Sequence, residues 1–303
     1  MKYVIIGGTG TLGQEILRQL IEKDALENGG EIVIFSRCEH KQKALRSKYP
    51  QKNLKFTIGS IQDVFSLNET MKKADVVFHV AALKHIDTME ENPVECIKTN
   101  LNGTINSGEL ANISGVKKFV FFSTDKAVDP INVYGMCKSI SERILLNWNK
   151  GNNDNRFIIY RWGNVLGSTG SFLHTIHESV KNDLPIPITS WQMSRYFIDI
   201  QDAVKFMLDT YMDANGAYVQ IPPMKACFIE ALIMAYSRVF EKHLAFIRTE
   251  VVGLRLGEKM HERISSIHNL NNCSNGDSMM AEHYNEEELF HLVKRASRKN
   301  GWI

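Results

Sequence analysis

The chain opens Met1-Lys2-Tyr3-Val4-Ile5-Ile6-Gly7-Gly8-Thr9-Gly10-Thr11-Leu12-Gly13, and the reading of this stretch decides the fold. Residues 3–6 form an aromatic and β-branched run of the kind that makes a buried strand. A G-x-x-G-x-x-G spacing follows at once, and helical apolar spacing takes over across 12–23. Strand, glycine turn and helix in that order make a dinucleotide cradle. The glycines permit a tight turn and let backbone N–H groups approach a pyrophosphate, while the helix adds its positive N-terminal end. Gly7, Thr9, Gly10, Thr11, Leu12 and Gly13 are therefore the first cofactor-binding candidates. A ligand-free glycine turn is the plain alternative, and the flanking strand and helix weigh against it.

The same rhythm runs outward from this opening. Residues 31–36, 54–58, 75–80, 119–123 and 157–160 read as further buried strands, with helix-like spacing over 67–73, 94–113 and 133–149. The pattern predicts an α/β, Rossmann-like, doubly wound parallel sheet with a smaller C-terminal substrate-binding lobe. After Arg161 the rhythm changes to a Gly- and Ser-rich loop over 163–171, a helical stretch, Pro185 and Pro187, and a helix over 200–212. The expected division is a nucleotide-binding domain over 1–165, to which 195–213 returns, and a substrate-binding lobe from 166–194 and 214–303. Asn269, Asn271, Asn272 and Asn275 read as a loop before a charged final helix over 286–299.

Among the 303 residues, 36 Lys+Arg face 34 Asp+Glu, leaving a formal charge of +2. So small a surplus argues against nucleic acid and anionic membranes as partners and leaves small anionic ligands open. The 5 cysteines have neither zinc-site nor disulfide-framework spacing, so no metal is expected. Unpaired thiols suit a reducing compartment, no leader-type run precedes the first strand, and no apolar window approaches the roughly 20 residues of a membrane span. The expectation is a soluble cytoplasmic protein.

At the end of the second strand stands Phe35-Ser36-Arg37-Cys38-Glu39-His40-Lys41. A cofactor lacking a 2′-phosphate usually meets an acidic residue at this point. Here Ser36, Arg37 and Lys41 suit a phosphate, which predicts NADP. The alternative is a solvated cluster of Arg37 and Lys41 with Glu39.

The fifth strand ends in Ser123-Thr124-Asp125-Lys126, and Tyr134 and Lys138 follow at helical spacing on one face. An ammonium beside a phenol favours phenolate, so Tyr134 is placed to remove a hydroxyl proton while hydride leaves the same carbon. With the glycine loop upstream, this arrangement resembles the short-chain dehydrogenase/reductase site. Further motifs narrow the resemblance: Ala81-Ala82-Leu83-Lys84-His85, Glu91-Asn92-Pro93, Lys98-Thr99-Asn100 and Ser123-Thr124-Asp125-Lys126-Ala127-Val128. Downstream come Arg161-Trp162-Gly163-Asn164-Val165-Leu166-Gly167, Met193-Ser194-Arg195-Tyr196-Phe197 and Gly253-Leu254-Arg255-Leu256-Gly257-Glu258-Lys259. Together they resemble the UDP-N-acetylglucosamine 4,6-dehydratases of polysaccharide and pseudaminic acid synthesis.

That resemblance implies a lyase that uses NADP, tightly bound and recycled, to oxidise C4 of the sugar, eliminate water across C5 and C6, and return hydride to C6. It implies Lys126 as base and Asp125 as acid beside Thr124, with burial beside the nicotinamide's positive charge lowering the lysine's pKa, and it adds Ala81, Ala82, Tyr134 and Lys138 to the cofactor contacts. It further implies Arg195, Arg255 and Asn164 at the diphosphate, Glu258 at the ribose and Lys84 at the sugar end. Lys126 together with Tyr134 points to inversion at C5 and an L-arabino product. A C5-retaining dehydratase and a nucleotide-sugar 4-epimerase are the neighbouring alternatives, and a non-catalytic NADP sensor is the alternative from another class. A homo-oligomer, dimer or hexamer, is implied through the helices near Val94 and Val133. Ser60, Leu256 and Thr169 depart from the pattern where an acidic residue, a proline and a basic residue are usual. Cys137 reads as a packing residue.

Overall fold

Apolar runs, the first five each followed by a helix, build the central sheet in the computed structural model, which describes residues 1–152, 155–265, 278–279 and 281–303. The loop expected over 269–275 lies outside the described residues, as does Cys273. The strands in chain order are β1 (Lys2–Ile6), β2 (Glu31–Ser36), β3 (Leu54–Ile58), β4 (Val76–His79), β5 (Lys118–Thr124) and β6 (Phe157–Trp162). Six shorter ones follow: β7 (Asn164–Leu166), β8 (Ile186–Ile188), β9 (Ser194–Asp199), β10 (Val219–Gln220), β11 (Lys225–Phe228) and β12 (Thr249–Val251).

Seven strands form one parallel sheet in the order β10-β6-β5-β4-β1-β2-β3. This is the doubly wound topology, with its switch point where β1 lies beside β4. Two apolar cores cover its faces, one containing Ile5, Leu17, Ile34, Phe78 and Tyr160, the other Val4, Val33, Leu67, Phe119 and Phe157. A second lobe carries the sheets β11-β9-β7 and β12-β8 over its own core, which includes Leu173, Ile176, Leu232, Leu292 and Val293.

Several elements differ from the sequence reading. The helix expected over 94–113 is Pro93–Cys96, a wider π-type turn at Ile97–Asn102, and Gly103–Ile113. Gly103 belongs at that junction because a Cβ there would lie 2.4 Å from Ile61 Cδ1. The helix Glu39–Lys48 leaves little apolar pattern in the sequence because only Gln42 and Leu45 of its ten residues are buried. Within 195–213 the strand β9 pairs with β7 and β11 in the second lobe. Its helix Ile200–Thr210 returns, placing Ala203, Val204 and Met207 in a core beneath the main sheet. Residues 219–220, assigned by the sequence to the second lobe, pair instead with β6 at the edge of the central sheet.

Candidate active site

The glycine turn is shaped by its neighbours. Gly7 has φ +89°, and a Cβ on it would stand 2.7 Å from the Ala81 backbone; one on Gly13 would stand 2.5 Å from Gly8 Cα. No larger residue fits either place. The helix Thr11–Glu22 begins after Gly10 with no side-chain cap, so its first N–H groups are not taken by a capping oxygen. Gln14 Nε2 donates to Thr9 O at 2.9 Å and stiffens the turn. Across the switch point, Asn100 Nδ2 donates to Leu83 O and Leu83 N to Asn100 Oδ1, both at 2.8 Å, fixing the segment that carries Ala81, Ala82 and Lys84. A backbone-lined, uncapped cradle of this kind fits a dinucleotide pyrophosphate.

At the end of β2, Ser36 is buried and its Oγ accepts from Gln42 Nε2 at 3.0 Å. Arg37 and Lys41 are both exposed, and among the described residues no ion pair joins either to Glu39.

The end of β5 turns directly into a 3-10 turn, Asp125–Ala127. Thr124 Oγ1 donates to Asp125 Oδ1 at 2.9 Å, and Lys126 Nζ donates to the same oxygen at 2.9 Å. Asp125 is fully buried and its Oδ2 has no hydrogen-bond partner. A second carboxylate, Glu262, reaches in from the other lobe, its Oε1 3.6 Å from Lys126 Nζ. Burial works to lower the lysine's pKa, but Asp125 and Glu262 outweigh it and hold the ammonium above the ordinary lysine range.

Gly135 brings the next helix, Val133–Asn152, against this turn, since a Cβ there would lie 2.2 Å from Lys126 O. Tyr134 consequently sits beside Thr124, Asp125 and Lys126. Burial pushes its phenol up to about 12, against the pull of Lys126 and a hydrogen bond with Thr124. Burial likewise pulls Lys138 down to about 8, against Glu142. Lys138 Nζ donates to Phe122 O at 2.7 Å and lies 4.3 Å over the Phe121 ring. Lys138 thus gives one of its three N–H donors to that carbonyl, and Lys126 is the cation that pulls on the Tyr134 phenol.

The second lobe is bolted to this turn. Asn132 Nδ2 donates to Gly257 O at 2.8 Å and Lys259 Nζ to Val128 O at 2.7 Å. Arg195, expected at a diphosphate, is buried and donates to the carbonyls of Ser194, Lys259 and Met260 at 2.7 to 2.9 Å. Arg195 thereby ties the 259–260 loop to the start of β9, alongside the bond from Ser194 N to Met260 O. Glu258 accepts from Thr189 Oγ1 at 3.0 Å and stands 3.7 Å from Arg195. Arg255 is exposed on the same loop, while Asn164 Nδ2 donates to Tyr196 O at 3.2 Å. Lys84 lies apart from that group, its Nζ donating to Thr169 O at 2.6 Å. Thr169 Oγ1 in turn lies 3.2 Å from Thr11 Oγ1, so the 167–171 loop meets the glycine turn. Glu262, Asn100 and Asn132 are the site residues that the sequence reading missed. Only the Lys259-to-Glu262 spacing, which sets the two side chains 3.7 Å apart, offered a signal for the first.

Sheet order, glycine cradle and the Thr124, Tyr134 and Lys138 constellation define an extended short-chain dehydrogenase/reductase. The chain belongs to the polysaccharide biosynthesis protein family, whose model matches residues 3–283. It is 36% identical over 265 residues to the UDP-N-acetylglucosamine 4,6-dehydratase (inverting) of Campylobacter jejuni, covering 86% of this chain and 75% of the relative. It is 33% identical over 265 residues to a protein of Rickettsia bellii named UDP-glucose 4-epimerase, covering 87% and 77%. Among solved structures, Pen from Bacillus thuringiensis superposes with a TM-score of 0.88 at 28% identity, covering 98% of this chain and 97% of that one. Among the described residues, no helix is long and apolar enough to cross a membrane.

Proposed function

We propose that the protein is an NADP-dependent UDP-N-acetylglucosamine 4,6-dehydratase of the cytoplasm that inverts C5. The observation that carries this reading is the turn at the end of β5, where the Thr124 hydroxyl and the Lys126 ammonium donate to one oxygen of the buried Asp125 carboxyl beside a tyrosine. A 4-epimerase has to move one hydroxyl proton and needs only the tyrosine. An acid and a base next to it add what a water elimination requires, one group for the C5 proton and one for the departing C6 hydroxyl.

A bound nicotinamide supplies the hydride acceptor at C4 and the hydride donor at C6. Tyr134 takes the C4 hydroxyl proton, Lys126 takes the C5 proton that the C4 ketone acidifies, and Asp125 protonates the leaving hydroxyl. Thr124 holds Asp125 through the 2.9 Å bond already described. Exposed Arg37 and Lys41 beside buried Ser36 support NADP over NAD. On the substrate side, exposed Arg255 is the diphosphate contact, with Asn164, Glu258 and Lys84 lining the pocket and Arg195 holding the loop that presents them. Val94, Ile97, Met136 and Ile140, exposed on the helices near Val94 and Val133, support a homo-oligomer.

Incubation of the purified protein with UDP-N-acetylglucosamine in deuterated water tests the reading. The expected product is 18 mass units lighter before isotope uptake, about the mass of one water, carries deuterium at C5 and has inverted configuration there by proton NMR. A product of unchanged mass, epimeric at C4, would replace this reading with the epimerase.

A further inference from the structure

The chemistry just described leaves one buried acid without a part. Glu262 has a side chain only 3% exposed, its Oε1 stands 3.6 Å from Lys126 Nζ, and its Oε2 has no hydrogen-bond partner. Its backbone is pinned: Glu262 N donates to Ser278 Oγ at 3.0 Å and Ser278 N to Glu262 O at 2.8 Å. The segment is held again where Arg161, paired with buried Glu142, donates to Ile264 O at 2.9 Å. Lys126 Nζ therefore lies between two carboxyls, bonded to Asp125 and just beyond bonding distance of Glu262.

Two requirements meet here. A buried carboxyl is costly unless it is paired or protonated. An ammonium cannot accept a proton from carbon until it has shed one of its own. The charged and titratable groups that face the pair are Asp125, Tyr134, Arg195 and Lys259. Arg195 and Lys259 are cations and cannot take a proton from Lys126, and Asp125 is committed to the leaving group.

Building on the dehydratase reading, we propose that Glu262 is a positioning residue that shares one proton with Lys126 and so makes the neutral amine available inside the closed site. In the first transfer a proton moves from Lys126 Nζ to Glu262 Oε1; the N–H pair stays on nitrogen as a lone pair and an oxygen lone pair forms the O–H bond. In the second, that nitrogen lone pair takes the C5 proton of the sugar. The C5–H pair becomes the second C5–C6 bond as the C6–O bond breaks, and the hydroxyl leaves as water with a proton that Asp125 brings to the step on Oδ2, the oxygen without a hydrogen-bond partner. Burial raises the Glu262 carboxyl above its ordinary range while Lys126 works against it. The pair carries the same total charge whichever atom holds the proton, so its readiness changes little across neutral pH.

The test uses cofactor-loaded protein as wild type, Glu262→Gln and Glu262→Asp. With UDP-N-acetylglucosamine, Glu262→Gln is expected to lose about 10²-fold in kcat at pH 7 with KM within about twofold. Its rate should climb about tenfold per pH unit, because the lysine must now release its proton to solvent, while the wild type stays level. Glu262→Asp keeps a carboxyl and should regain part of the loss with a level profile. Independently of turnover, the Cε resonance of Lys126 in protein labelled with carbon-13 lysine, assigned against Lys126→Ala, should titrate at lower pH in Glu262→Gln, since an anionic neighbour is gone. A level profile in Glu262→Gln at any height, or an unmoved Lys126 midpoint, overturns the proposal. If the wild type turns over no UDP-hexosamine, the dehydratase reading falls, and the lysine titration still decides whether the proton is shared.

Discussion

Replacing Lys126 by Ala removes the ammonium that Asp125 and Glu262 surround. Cofactor binding should survive, because the cradle at Gly7 to Gly13 lies on a different turn, and titration of the loaded protein by nicotinamide fluorescence checks this. Dehydration should fall by about 10²- to 10⁴-fold, the usual worth of a positioned acid–base group. Turnover near the wild-type rate would remove Lys126 from the mechanism. Arg37 belongs to the same scale: it is exposed at the end of β2 without an ion pair to Glu39. Arg37→Asp should weaken NADP by about 10- to 100-fold, the worth of one charged hydrogen bond, while NAD binds no worse. Equal affinity changes for the two cofactors would take the 2′-phosphate away from Arg37. At this scale the sequence made residue types legible and their charge states illegible. Asp125, Lys126 and Tyr134 stand in one short stretch, but the lysine's charge depends on Glu262, which only folding brings near.

Elements show the same division for a different reason. Strands β1 to β6 were readable because a parallel sheet covered on both faces leaves continuous apolar runs, and every residue of β4 and β6 is buried. Strands β7, β8 and β12 have three residues each, too few for any period to register. One buried polar residue in β4 yields a stability prediction. His79 is fully buried, with Nε2 3.2 Å from Thr104 Oγ1 and Nδ1 3.2 Å from Ser107 Oγ on the helix Gly103–Ile113. Burial, helped by Lys138, pulls its pKa to about 3 from 6.5. Between those values the unfolded chain binds the proton and the folded chain does not, so this stabilisation is complete above pH 6.5 and lost as pH falls toward 3. At pH 5 the loss amounts to about 2 kcal/mol. Urea unfolding at pH 7 and pH 5 should show that difference in the wild type and a smaller one in His79→Gln; equal differences would mean that another group carries the acid sensitivity.

The whole molecule is two lobes joined at the chemistry, and the final helix is what joins them elsewhere. Glu286–Lys299 was legible as a charged helix, and it begins with a capping box in which Asn285 accepts from Glu288 N. Its role was not legible, because its partners are distant in sequence. Leu289, Leu292, Val293 and Ala296 enter the second lobe's core, while Lys299 Nζ meets the buried Glu15 of the first lobe at 2.6 Å and Arg295 pairs with Asp202. The helix thus supplies both apolar burial to one lobe and charge pairing to the other. Leu292→Ala should cost about 2 to 5 kcal/mol, as for a leucine removed from a packed interior. The loss falls on the lobe that carries Arg195, Glu258 and Glu262, so substrate binding and turnover should fail at lower urea than cofactor binding does. Lys299→Ala tests the other half, leaving Glu15 with Arg18 and Gln19 as partners. It should loosen the contact between lobes and leave the second core intact, so cofactor and substrate binding should fail together at one slightly lower midpoint. Separate urea midpoints for the two binding activities in Leu292→Ala, against a single shared midpoint in Lys299→Ala, are the pattern this division of labour requires, and coincident midpoints in both variants would show that the lobes unfold as one unit.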